Sequence, residues 1–284
     1  MWHCRKNWKL ITLLMAACVG TFSVAAGAQT WSTPQFVANG FGIAVATNGS
    51  TSAVLFMPPS GGLQASVKTG SAWTTPVTLS SLGPFGSGTG NIAVAPNGDV
   101  LAVWSFRTTN TYIPNEAQAA FFTGGHWGSP ITISTNVYGN VNSFGLPGIG
   151  FDSHSQATLI DEEITNPTTT CALKARTGSA ASGFGSAQTI SNATTCYGLA
   201  KLAVNSGGEA VAIEGATGIL TGAVIAISRS LTGTWGAPVT VAASAYRQNN
   251  PNVGLGNEGT AVVVWRTRSG VSYAVRSGGT WSAA

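Results

Sequence analysis

The sequence predicts an all-β repeat protein, on three observations. A motif of the form aromatic-x-x-Pro follows a small-residue turn again and again, and short apolar runs alternate with turn signals between its copies. Almost no stretch carries a helical period, while 37 residues are glycine.

The motif reads Trp73-Thr74-Thr75-Pro76, Trp127-Gly128-Ser129-Pro130 and Trp235-Gly236-Ala237-Pro238, with a copy at Trp31-Ser32-Thr33-Pro34. Phe184 after Gly183 is a degenerate copy, and Trp281-Ser282-Ala283 is a truncated one. Successive anchors lie 42, 54, 57, 51 and 46 residues apart, which makes five periods. Each period holds an apolar strand, a tight turn, a second apolar strand, a variable loop, a third strand ending in a basic residue, and the anchor strand. The turns Thr47-Asn48-Gly49, Asn97-Gly98, Ser206-Gly207-Gly208 and Asn257-Glu258-Gly259 supply residues that tolerate positive φ, as hairpins require.

Four short strands repeated at roughly 40 to 55 residues are what a propeller blade needs. A lone twisted blade cannot bury both faces, and runs such as Leu101-Ala102-Val103 and Val262-Val263-Val264 are apolar on both. The expectation is a single five-bladed β-propeller of four-stranded antiparallel blades over residues 29–284. Closure should come from the segment Trp31 to Val37, pairing with Ser272 to Arg276 to complete the last blade and cover two strand edges.

The pattern Gly-x-Ala-x-Ala-Val-Trp, Ala-x-Arg and Gly-x-Trp-x-x-Pro resembles the degenerate propeller repeats of secreted bacterial proteins grouped loosely with the sialidase-like superfamily. The resemblance concerns the repeat and implies fold, not activity. An Asp-box would place an aspartate five residues before the tryptophan, where Arg276 stands before Trp281. The superfamily's acids, paired tyrosine and three arginines have no counterpart in the sequence.

Residues 1–28 read as a secretory signal: Arg5, Lys6 and Lys9, the apolar run Leu10 to Val19, then Ala25-Ala26-Gly27-Ala28 before Gln29. Met15-Ala16-Ala17-Cys18 offers a rival lipoprotein reading. Secretion or residence in a periplasm follows, and no second apolar run is long enough to span a bilayer. Removing the signal from 284 residues leaves 256, with ten basic residues against nine acidic ones, so no nucleic-acid footprint is expected. Cys171 and Cys196 are the cysteines left after cleavage, and an oxidising compartment makes a disulfide between them the expectation.

Motifs for chemistry are sparse. Gly254-Leu255-Gly256-Asn257-Glu258-Gly259 fits a dinucleotide fingerprint in letters, but a strand follows it where a helix is needed. Serine catalysis lacks a partner, because His126 and His154 fall at an anchor and in a turn, and no Gly-x-Ser-x-Gly elbow exists. Lys68, Arg176, Arg229 and Arg276 recur at the end of the third strand, which reads more simply as structural than as an anion-binding ring. No cofactor or cysteine-held metal is expected; calcium on Asp161, Glu162 and Glu163 is a weaker possibility. Asn48-Gly49-Ser50 and Asn192-Ala193-Thr194 are glycosylation sequons that matter only in a eukaryotic host.

One column stands out. At the end of the second strand the five blades present Phe56, Trp104, Asp161, Glu214 and Trp265. With the loops Arg107 to Glu116 and Glu163 to Thr170, they should frame a ligand site on one face, unless the aromatics are packing between blades. The leading expectation is a non-catalytic binding protein for a glycan or surface polymer. The alternative is a glycoside hydrolase or lyase using Asp161 and Glu214 as acid and base, for which carboxyl separations of about 5 to 5.5 Å (retaining) or 6.5 to 9.5 Å (inverting) would be diagnostic.

Overall fold

The computed structural model describes residues 33–81, 87–106, 116–135, 147–166, 170–193, 200–215, 222–245 and 251–282, and among them it contains strands and no helix. Five antiparallel sheets follow one another in chain order, one for each period of the sequence. The second sheet shows the plan: a first strand Ser87–Val94, a second Val100–Phe106 and a third Glu116–Thr123, each paired with the one before. The anchor piece His126–Trp127 pairs with the third strand, and Ile131–Ser134 pairs further along the same strand. Pro130, which has no N–H to give a ladder, sits in the break between these two pieces.

The tight turns between first and second strands behave as their residues demand. Gly98 and Gly208 take φ of 89° and 88°, values that cost a side-chain-bearing residue strain. In the third sheet Ser155 takes that role at φ 61°, braced by Asp152, whose Oδ1 accepts from the backbone N–H of His154 and Gln156. These turns are also stitched to each other. Asn48 donates to the Val94 carbonyl, the Asn97 N–H reaches the Ser155 hydroxyl, Ser153 donates to the Ser206 carbonyl, and Ser206 reaches Asn257 Oδ1. The five hairpin turns therefore form one connected rim, and the loops between second and third strands lie at the opposite end of the sheets.

Four apolar clusters hold the sheets together, one at each junction. Ala53 and Leu55 of the first sheet pack with Ala102 and Trp104 of the second, and Leu101 and Val103 of the second with Leu159 of the third. Ile160 and Leu173 of the third sheet pack with Ala212 and Ile227 of the fourth, and Val211 and Ile213 of the fourth with Val263 and Trp265 of the fifth. Alternation along each strand sends successive side chains to opposite junctions, which is why the second strands are apolar throughout. The anchors Trp127, Phe184, Trp235 and Trp281 each pack on the cluster shared with the preceding sheet, confirming them as structural plugs.

The segment Trp31 to Val37, expected to complete the last blade, begins with Trp31 and Ser32, which lie outside the described residues. Residues 33–38 belong to no strand, and Val271–Ser277 pairs with Ala261–Arg266 on one side and with Thr280–Trp281 on the other. Among the described residues, no strand of the first sheet packs against the fifth as those of neighbouring sheets do. Both ends of the series are correspondingly exposed, with Val45 at 75% and Tyr273 at 63%.

Candidate functional site

The column at the end of the second strand does not line a rim. All five of its residues are buried, Trp104 completely and Phe56, Asp161, Glu214 and Trp265 at 4% exposure or less. The reason is pleat register: Trp104 packs into the junction with the first sheet, and Trp265 into the junction with the fourth. Neither indole offers a face to a ligand, so the expectation of aromatic stacking platforms at Trp104 and Trp265 is corrected to packing, while Phe56 is buried beside Gly40. Loop residues 107–115 and 167–169 lie outside the described residues, as does Cys196. Cys171 opens the third strand of the third sheet, is 1% exposed and is disulfide-bonded.

The two acids of the column occupy positions where other sheets place aromatics, and each has recruited polar partners. Asp161 shares a face of its strand with Leu159, which packs on the second sheet. Arg176, on the neighbouring third strand, donates through Nη1 to Asp161 Oδ1 and through Nη2 to Glu163 Oε1 at 2.7 Å. Ser134, from the second sheet, reaches the Glu163 carboxylate across the junction. One guanidinium thus stands between two carboxylates, spaced i and i+2 so that both project from one face.

Glu214 sits one junction further on. Its Oε2 accepts a 2.9 Å hydrogen bond from the Ser191 hydroxyl of the third sheet. Ser134 and Ser191 are equivalent residues of successive outer strands, and Thr132-Ile133-Ser134 and Thr189-Ile190-Ser191 repeat the pattern of Thr78-Leu79-Ser80. The repeat is visible in the sequence, but only the packing of the sheets turns its hydroxyls toward a neighbouring sheet.

The electrostatics follow from burial. Desolvation, opposed by the Arg176 charge and reinforced by Glu163, pushes the Asp161 carboxyl up from 3.8 to about 8. At Glu163 desolvation is outweighed by the Arg176 hydrogen bond and charge with help from Ser134, and its carboxyl lies below the ordinary value. Burial raises Glu214 as well, and the Ser191 bond holds back part of that rise. Asp161 Oδ2, Glu214 Oε1 and Trp104 Nε1 are buried without a hydrogen-bond partner among the described residues.

Three other expectations can be placed. The calcium trio is divided by strand alternation, Asp161 and Glu163 on one face and Glu162 on the other with Ile160 and Leu173, which pack toward the fourth sheet. No group of three or more metal-binding side chains occurs among the described residues. Among the recurrent cations, Arg229 donates to the Gly208 carbonyl at 2.9 Å, Arg276 to that of Gly259, and Arg176 to its two acids. No helix among the described residues is long and apolar enough to cross a membrane.

No protein-family model and no curated protein match the chain. Solved structures do. A lectin from Burkholderia pseudomallei superposes with a TM-score of 0.59 at 14% identity, over 90% of this chain and 74% of the lectin. An ulvan lyase of a polysaccharide lyase family gives 0.53 at 11% identity, covering 87% of this chain and 72% of the lyase. The SapL1 lectin, solved with α-methyl fucoside, gives 0.51 at 9% identity over 84% and 77%. At these identities the likeness is one of fold: the chain shares an all-β, propeller-like arrangement of antiparallel sheets with two lectins and a lyase.

Proposed function

We propose that this chain is an exported, non-catalytic binding protein for a glycan or surface polymer, with the five sheets serving as propeller blades. The observation that carries the reading is the Arg176 and Glu163 pair at the loop end of the junction between second and third sheets. The Glu163 side chain is 17% exposed, against 1% for Asp161, so it is the acid of this group that a ligand can reach. A carboxylate and a guanidinium held rigidly side by side offer acceptors and donors to adjacent sugar hydroxyls with little ordering cost. The lectins sharing the fold support the same class of ligand.

The hydrolase or lyase alternative is disfavoured by placement. Asp161 projects toward the second sheet and Glu214 toward the third, so the third sheet lies between the two carboxyls that would have to flank one glycosidic bond. Export rests on the leader of residues 1–28, and N-terminal sequencing of secreted protein should begin at Gln29.

A glycan array probed with the exported protein tests the function. Retention of at least one glycan is expected, and Glu163→Gln, compared at a temperature where circular dichroism shows both proteins folded, should lower it about tenfold, the loss expected for one charge-assisted hydrogen bond. An array with no retained glycan would overturn the reading. Equal retention by parent and variant would move the site elsewhere.

A further inference from the structure

The loop end of the fourth and fifth sheets carries charge of one sign. Lys201 is the second residue of the fourth sheet's first strand, Ala200–Val204, which starts at this end. Arg266 closes the second strand of the fifth sheet, Ala261–Arg266, and Arg268 stands in the loop that follows; both are exposed. The one acid that these two sheets place here among the described residues is Glu214, which is 2% exposed and turned to Ser191 of the third sheet. Their other acids, Glu209 and Glu258, lie at the hairpin turns of the opposite end.

Lys201 is the cation of this set that packing does not explain. It pairs with Ile213, and residues directly opposite on antiparallel strands share a face. Ile213 packs with Val253 and Trp265 of the fifth sheet, whereas Leu202 packs toward the third, so alternation turns Lys201 to the fifth sheet. The same position of the second sheet is Asn91, opposite Val103, and its amide donates to the Pro147 carbonyl at the head of the next sheet at 3.3 Å. Lys201 is partly buried in that place and makes no hydrogen bond or ion pair among the described residues. Burial pulls its pKa below the ordinary 10.5. An ammonium held beside apolar side chains without an acceptor costs stability that a methionine would not, and such a break with the local rule belongs to a group kept for a ligand.

We propose that the loop end of the fourth and fifth sheets takes the acidic groups of a polyanionic glycan, its carboxylates or sulfate esters meeting Lys201 and the guanidinium groups of Arg266 and Arg268. The inference rests on the glycan-binding reading above and names the class of glycan. Cations spread over two sheets match a charge repeated along a chain better than one small anion. Lysine meets such a group as a point charge, and the arginine fork fits a carboxylate or sulfate with two parallel hydrogen bonds. A chain lying across the loop end from the third sheet to the fifth would meet Glu163 and Arg176 with its hydroxyls and these cations with its charges.

Biolayer interferometry on the exported full chain tests this with four immobilised polymers: dextran sulfate, dextran, polygalacturonate and methyl-esterified polygalacturonate. The parent should bind at least one charged polymer, bind its neutral counterpart far less, and release the charged one as sodium chloride is raised. Which charged polymer is held separates sulfate from carboxylate. Lys201→Met and Arg268→Gln should each weaken binding about tenfold, while Lys68→Gln, which removes the same charge near the hairpin turns of the first sheet, should bind like the parent. Circular dichroism confirms that the variants fold; the methionine keeps the lysine stem, and Arg268 is exposed. Equal binding of charged and neutral polymers, or a Lys201→Met variant that binds no worse than Lys68→Gln, would overturn the proposal and leave the broader glycan reading standing. Duplex DNA held as tightly as the charged glycan would overturn it as well, since charge without sugar would then suffice. Failure to bind either charged polymer would also overturn it, and the glycan array then decides whether the broader reading falls with it.

Discussion

Replacing Arg176 by methionine removes the one cation between Asp161 and Glu163 while keeping much of the side chain's length. At pH 5 the consequence is limited. Asp161, with its carboxyl pushed up to about 8, is already protonated in the parent, and Glu163 can take a proton near its ordinary value of 4.5. The loss is then that of two hydrogen bonds, about 1–2 kcal/mol. At pH 8 Glu163 has no cheap option. In the parent its folded pKa is depressed, so its stabilisation is present above the unfolded value and is lost as pH falls; without Arg176 burial raises the pKa, and stability is lost as pH rises. Holding the proton costs about 1.4 kcal/mol for each pH unit above 4.5, until ionising an unpaired, half-buried carboxylate becomes cheaper, at about 3–5 kcal/mol. The destabilisation should therefore grow by about 2–3 kcal/mol between pH 5 and pH 8. Urea unfolding followed by tryptophan fluorescence at both pH values measures it. An equal loss at both would mean that the guanidinium does not neutralise the pair, and the account of this junction would be wrong.

Three further outcomes are expected. Trp104→Ala, which empties a fully buried indole site between first and second sheets, should cost about 3–5 kcal/mol in urea unfolding; a loss below about 1 kcal/mol would contradict its role as packing. Glu214 has a raised pKa, so its contribution is present below its unfolded value and is lost as pH rises. Glu214→Gln should therefore melt at or above the parent temperature at pH 8 and at no higher temperature near pH 4, as scanning fluorimetry can check. Peptide mapping under non-reducing conditions should link Cys171 to Cys196, and reduction should destabilise the chain by about 3 kcal/mol, the loop-closure value for about 25 residues.

Much of the fold was legible because it is written in short range. A glycine at four of the five hairpin turns, strand-length apolar runs and a recurrent anchor report local backbone demands, and all five sheets lie where those signals place them. The column from Phe56 to Trp265 was also aligned correctly, since its members occupy one register position; Trp104 lies opposite Gly90 and Glu214 opposite Ala200, each a small residue of the first strand. What its members face could not be read, because a strand that is apolar on both sides gives no alternation to say which junction a side chain enters.

Sequence by itself determined the strands, the five-fold repeat, the hairpin turns and the positions that carry unusual chemistry. Tertiary structure alone decided three matters. It buried Trp104 and Trp265 between sheets, it set Arg176 between Asp161 and Glu163, and it brought the Ser191 hydroxyl of the third sheet against Glu214 of the fourth. The physical reason is common to all three. Local propensity reports what each residue asks of its own backbone, whereas the junctions are formed by side chains some 50 residues apart, whose meeting depends on pleat register.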